Sequence, residues 1–220
     1  MAVIGFRGAG KAEKKYLSIA FTKMDIGYHT ISAVALGIAL SACCGFRVFI
    51  PLLVASVVAY NHWFALPADM HWIGTGVSVT CFAIASAIEV GAYYFPFLDN
   101  ILDTIAAPLA VAAGTILAHA LIPFPDSEPV LRWLMAFVAG GATAGTIHIG
   151  TGIWRLFSTK ATLGTGNPVL ATGENAAAIA GAIASFFIPV IMSIIMLLVV
   201  GWFAYQEILR ATTAGKSNLP

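Results

Sequence analysis

The sequence predicts an all-α fold, a polytopic transmembrane helix bundle of about six spans, and two observations carry that expectation. Of the 220 residues, 60% are hydrophobic and only 10% are charged, against roughly 25% charged in an average soluble domain. The apolar residues also fall in runs close to the ~20 needed to cross a bilayer, joined by short polar turns. A third observation locates the interest. From Ile147 to Pro189 the chain is too polar and too glycine-rich for an ordinary span, yet apolar runs flank it. Backbone that stops being helical at membrane depth survives only where protein or a water-filled cavity covers it, because lipid offers no hydrogen-bond partner. Broken helices are therefore expected near Gly45 and from Gly150 to Glu174.

Composition divides the chain into a basic, cytoplasmic or interfacial segment (residues 1–24), a transmembrane domain (25–205) and a polar tail (206–220). Residues Met1 to Lys23 hold five of the eleven basic residues. The positive-inside rule then puts the amino terminus in the cytoplasm of a cell with an inner membrane. Within it, Gly5-Phe6-Arg7-Gly8-Ala9-Gly10-Lys11-Ala12 nearly spells a phosphate-binding loop. Ala12 lacks the metal-binding hydroxyl, however, and no strand precedes the glycines. The plainer expectation is an interfacial helix from Lys11 to Lys23.

Tyr28 to Cys44 is the first expected span. Its end, Leu40-Ser41-Ala42-Cys43, resembles a lipoprotein cleavage box, but the residues that follow are apolar rather than a polar tether. Gly45-Phe46-Arg47 and Pro51 then open a second span reaching about Leu66, entered by a tight hairpin or a broken helix. The third, Trp72 to Tyr94, carries Glu89 about one turn from its end, where a carboxylate opposes the helix dipole and calls for a cationic partner. The fourth, Ile101 to Ile122, begins beside Asp99 and Asp103, which share one helix face. Pro108 is expected to weaken that helix. The fifth starts near Val130 and holds the small-residue run Gly140 to Gly145, a device for close helix approach. The last apolar run, Asn175 to Tyr205, is longer than one crossing and has Pro189 in its middle, so a kink or two half-helices are expected. Gln206 to Pro220 reads as a frayed polar tail.

Six charges lie in or beside apolar segments: Arg47, Glu89, Asp99, Asp103, Arg155 and Glu174. A charge at the bilayer centre costs about 2.5–3.5 kcal/mol, so six facing lipid would cost roughly 15–20 kcal/mol. Pairing is therefore expected, Arg47 with Glu89 or Asp103 and Arg155 with Glu174, through guanidinium forks. Plainer roles compete: Arg47 snorkelling to headgroups, Asp99 and Asp103 placed by the dipole, and Glu174 in the first turn of a helix capped by Thr172. Gly164, Gly166, Asn167 and Pro168 offer amides for an anion nest. His148, beside the expected break, completes the candidate set.

Other chemistry finds no support. The net charge is +1 and no basic stripe appears, so nucleic acid is excluded as a partner. Cys43, Cys44 and Cys81 stand in apolar surroundings without metal-ligand spacing and read as packing residues. The five histidines are scattered, with no zinc-protease or serine-nucleophile motif. No catalytic residue, metal site or cofactor is expected, and the protein is read as a non-enzyme. Two short echoes, Ile73 to Val77 with Ile149 to Ile153 and Ala83 to Ser86 with Ala182 to Ser185, have disagreeing offsets, so no repeat is drawn from them.

The chain resembles a bacterial family of polytopic integral-membrane proteins, domain of unknown function 4126, over roughly Ile31 to Val200. The resemblance rests on Gly45-Phe46-Arg47 with Pro51-Leu52-Leu53, and on Glu89, Asp99 and Asp103 ahead of Pro108. It rests further on Ser158, Thr162, Gly164, Gly166-Asn167-Pro168, Glu174 and Pro189. Departures fall at Cys43-Cys44 and Thr165. What the resemblance implies is a polytopic helical membrane protein with a polar centre.

Together these readings predict transport or channelling of a small polar or lipidic anion, with Arg47 and Arg155 as ligands and the acids as pairing or proton-coupling groups. The competing expectation is a non-catalytic subunit of a larger membrane complex. Expected partners are membrane lipids and either other membrane subunits or further copies of the chain.

Overall fold

The computed structural model describes the backbone of residues 11–93, 96–124, 128–163 and 165–217, and the side chains of 27–93, 105–124, 128–163, 165–210 and 212. Every regular element among them is helical: α1 (Lys11–Cys43), α2 (Phe49–Tyr60), a 3-10 helix (Ala68–Gly74), α3 (Gly76–Ala92), α4 (Pro96–Leu121), α5 (Pro129–Ala136), a π-helical turn (Phe137–Gly141), α6 (Ala142–Thr162), α7 (Asn167–Phe187) and α8 (Pro189–Ser217). Prolines mark several starts. Pro129 and Pro168 sit in first turns and Pro189 opens α8, where a missing N–H costs nothing.

The all-helical, membrane-spanning architecture expected from the sequence is present. Among the described residues three helices are long and apolar enough to cross a membrane: Pro129–Thr162, Asn167–Phe187 and Pro189–Arg210. A fourth arises if the 3-10 helix and α3, bent by 59°, act as one broken span. The described parts of α1 and α4, Gly27–Cys43 and Ile105–Leu121, and the short α2, Phe49–Tyr60, are apolar as well. The 12 residues of α2 reach only about 18 Å against a hydrocarbon core of ~30 Å. Hydropathy runs had merged α2 with the irregular segment after it, where His62 takes a left-handed φ of 58°.

Both expected breaks are present. The chain does leave the helix between Cys43 and Phe49, around Gly45. The second break is narrower than the expected stretch: α6 runs unbroken through Gly150 and Gly152 to Thr162, before α7 begins at Asn167. Helix α6 closes on Leu163, whose left-handed φ of 53° ends it. Glu174 therefore lies in the interior of α7 rather than in a first turn, and the Thr172 hydroxyl donates to the Pro168 carbonyl instead of capping a helix. Pro108 stands inside a continuous α4. Lys11–Lys23 is the first part of α1, not a separate helix, and α8 stays helical to Ser217. At Pro189 the expected break is present, with Ile188 out of helical geometry at φ −134° and ψ 60°.

The core is built on α1, which packs against α4, α7 and α8, while α2 packs on α3 and α4 on α6 and the π-helical turn. Leu40, Cys44, Val48, Leu52, Ala110 and Leu117 form its main apolar cluster. The Ser41 hydroxyl donates to the Gly114 carbonyl at 2.8 Å where α1, α4 and the π-helical turn meet. Cys43 and Cys44 are fully buried within this packing.

Candidate functional site

The site grows from the gap between α1 and α2. Arg47 occupies it, and its side chain is wholly buried. Its Nε donates to Asn175 Oδ1 at 2.5 Å, its Nη2 to the Ala171 carbonyl at 3.2 Å and its Nη1 to the Phe46 carbonyl at 3.2 Å. Nη1 also lies 2.9 Å from Glu174 Oε2. From the other side, Arg155 on α6 grips the same carboxylate with two nitrogens: Nε donates to Oε1 at 3.2 Å and Nη2 to Oε2. One carboxylate thus serves two guanidinium groups, one of them in a bidentate fork, the geometry that suits a carboxylate or a phosphate.

Tyr93, buried at the end of α3, binds this centre by its ring. The guanidinium carbons of Arg47 and Arg155 lie 3.8 Å and 4.3 Å from its centroid, within the range of cation–π attraction. A shared aromatic face gives two like charges a common partner away from water.

Glu89 is placed beside the centre but does a different job. Its Oε1 accepts the Val48 N–H at 2.7 Å and its Oε2 the Phe49 N–H at 3.0 Å. It therefore caps the start of α2, and among the described residues Glu174, not Glu89, is the carboxylate paired with Arg47. The physical reason is that a helix N-terminus presents unpaired N–H groups and partial positive charge. The carboxylate that seemed misplaced on its own helix is well placed for the next. Replacing Glu89 by glutamine leaves one carbonyl oxygen for two N–H donors. The expected cost is about 1–3 kcal/mol, with faster amide hydrogen exchange at Val48 and Phe49 than elsewhere in α2.

The remaining candidates divide. His148 is buried with Nδ1 3.3 Å from the Gly45 carbonyl, at the same break. Asn167 is not at the centre: its amide donates to Thr159 Oγ1 at 3.0 Å, and the Thr162 hydroxyl accepts the Gly166 N–H at 2.9 Å. These bonds tie Gly166 and Asn167 to the last turn of α6. Asp99 and Asp103 lie in the first turns of α4, and their side chains are outside the described residues.

Tyr93 and Asn175 were not among the sequence candidates. The adjacent polar pair Glu174-Asn175 inside an otherwise apolar helix was the available signal for Asn175; nothing in the local sequence singles out Tyr93. A second polar contact was also missed: His119 Nε2 lies 2.7 Å from Asp69 Oδ2, and the imidazole stacks on Trp133 at 4.1 Å. It ties the 3-10 helix to α4 and α5.

Two clefts approach the charged centre. One, of about 230 Å³, is lined by Phe46, Thr151, Trp154, Leu170, Phe203 and Glu174 among others. The other, of about 310 Å³, is lined by Val48, Phe49, Ile88, Leu109, Glu89 and Tyr93 among others. Each is almost wholly apolar and reaches the centre at a carboxylate. Among the described residues no group of three or more His, Cys, Asp or Glu could hold a metal ion.

Comparison with curated proteins and with solved structures gave no match. A match to a family described as a domain of unknown function covers residues 34–207. That interval runs from within α1 to within α8 and includes Arg47, Glu89, Tyr93, Arg155, Glu174 and Asn175. With apolar helices able to cross a bilayer and a family match over most of its length, this chain is a helical membrane protein that belongs to the DUF4126 family.

Proposed function

We propose that the protein is a multi-pass inner-membrane carrier or channel for a small polar or lipidic anion, with its amino terminus in the cytoplasm, and that it binds its cargo without transforming it. The observation that supports this reading is the convergence of Arg47 and Arg155 on the single carboxylate of Glu174. A carboxylate so held stands where the carboxylate or phosphate of a cargo would stand. Glu174 is then a built-in substitute anion. Its withdrawal into the adjoining cleft, or its protonation, exchanges it for the cargo while the arginines keep a partner. Buried arginines that lose their only anion would be costly, so such an exchange keeps the empty and loaded states close in energy.

The test sets two variants against each other in proteoliposomes. Arg155→Ala is expected to abolish anion flux while the protein stays folded. Glu174→Gln removes the internal competitor and is expected to raise affinity for inorganic phosphate at least tenfold, a gain of about 1.4 kcal/mol. If both variants are merely less stable and neither changes anion binding or flux, the reading fails.

A second reading rests on Arg47 alone. Its guanidinium is satisfied by Asn175, Ala171, Phe46 and Glu174 with no exposure, as in a polar lock that joins α1–α2 to α7 inside a non-catalytic subunit of a larger complex. Native mass spectrometry after gentle extraction separates the two. Other chains at fixed stoichiometry favour the subunit; a lone chain or small homo-oligomer holding lipid favours the carrier.

A further inference from the structure

We infer that the anion exchanged at Glu174 is the head of a single-chain lipid, a carboxylate or phosphate on one acyl chain, entering from the bilayer along the cleft between α6, α7 and α8. The inference rests on the anion-exchange reading above and names its ligand class. The cleft that ends on Glu174 is walled by Phe46, Trp154, Leu170 and Phe203. Its polar groups besides Glu174 are few, and the Thr151 hydroxyl already donates to the His148 carbonyl at 3.0 Å. A small hydrophilic ion gains nothing from such walls.

The mouth faces the same way. Trp154 and Val169 on its rim are 46% and 74% exposed, and they belong to α6 and α7, two of the helices able to cross a membrane. The cleft therefore opens toward acyl chains. An ion arriving alone by that route would have to shed water between apolar walls, at a cost of several kcal/mol. A lipid keeps its chain in hydrocarbon throughout and brings only its head to the arginines.

The depth fits as well. Glu174 and Arg155 each lie seven residues from the α6–α7 turn, about 10 Å along their helices at ~1.5 Å per residue. That turn carries Thr159, Thr162, Thr165 and Asn167, polar groups suited to headgroup level. A lipid head entering there reaches the arginine pair after a short descent, with its chain lying along the aromatic wall.

Two glycines shape the passage. A side chain built at Gly150 would collide with the Phe203 ring, so Gly150 lets that ring lie against α6. Gly173, one residue before Glu174, lines the cleft, and a Cβ there would meet nothing within 4 Å. Gly173→Leu is thus a plug that leaves the packing intact.

The experiment uses the full chain in phosphatidylcholine nanodiscs and measures binding of oleate, lysophosphatidate, acetate and inorganic phosphate. Wild type, Gly173→Leu and Glu174→Gln are compared, with unchanged melting as the check on Gly173→Leu and Val169→Trp at the rim as a second plug. The chain-bearing anions are expected to bind wild type, and to bind either plug variant at least tenfold more weakly. Acetate and phosphate binding to Glu174→Gln shows that the anion site exists. Equal binding of chain-bearing and chainless anions, indifferent to both plugs, overturns the lipid inference and leaves the anion site standing. Failure of all four anions to bind either wild type or Glu174→Gln overturns both.

Discussion

Replacing Arg47 by alanine is expected to cost about 3–5 kcal/mol, the range for removing one partner of a buried charge pair. The loss is not one salt bridge. Glu174 keeps Arg155, but the side-chain oxygen of Asn175 and the carbonyls of Ala171 and Phe46 lose their donor, and a buried volume is left open beside Tyr93. Lysine is not expected to rescue the variant, because an ammonium cannot direct donors to Asn175, Ala171 and Glu174 from one planar fork. Reversible unfolding in detergent or bicelles measures the loss. A change under 1 kcal/mol would mean that the guanidinium is not integral to the α1–α2–α7 junction.

The second large effect is expected at Gly140. A methyl group there would press on the Gly114 carbonyl oxygen, lie 2.6 Å from Ala118 Cβ and lie 2.7 Å from Ser41 Oγ. The reverse substitution meets the same wall, since a Cβ on Gly114 would come 2.6 Å from the Gly140 carbonyl oxygen. These contacts involve backbone and short side chains, which cannot turn aside. Gly140→Ala is expected to cost about 3 kcal/mol, the upper part of the range for overpacking. Gly152→Ala, with nothing within 4 Å, is expected to stay within about 0.5 kcal/mol of wild type. Comparing the two variants by the same unfolding assay separates helix packing from the general cost of removing a membrane glycine. Equal values would show that the packing of the π-helical turn on α4 and α1 has room to relax.

What could be read in advance followed the range of each interaction. Arg155 and Glu174 stand 19 residues apart across one turn, and their pairing could be anticipated from two opposite charges on consecutive helices. Arg47 finds Asn175 at a separation of 128 residues, and no local pattern encodes that meeting. Glu89 was legible as a carboxylate in need of positive potential; that the potential comes from the start of α2 depends on how α2 and α3 pack. The glycines around 150–152 suggested a broken helix because glycine lowers helix propensity. In the folded chain Gly150 instead makes room for Phe203 while α6 continues. The small-residue run from Gly140 did mark a close crossing, since little but backbone and methyl groups fits there. The bounds of the second span were misread because a 12-residue helix and the irregular segment after it together look like one long apolar run.

The separation between Arg47 and its acceptors also sets a schedule for biosynthesis. The Ala171 carbonyl that receives Arg47 belongs to a residue 124 positions later in the chain. At a synthesis rate of ~5–20 residues per second, Arg47 is joined to the chain about 6–25 s before that acceptor exists. Through this interval α1 and α2 are handed to the membrane with a guanidinium whose ion-pair partner has not yet been made. The nascent chain must keep the α1–α2 break near water, or beside a component of the insertion machinery, until α6 and α7 arrive together. Closure of the charged centre is then a late event of assembly, and a chain stopped before Ala171 lacks the residues that make burial of Arg47 tolerable.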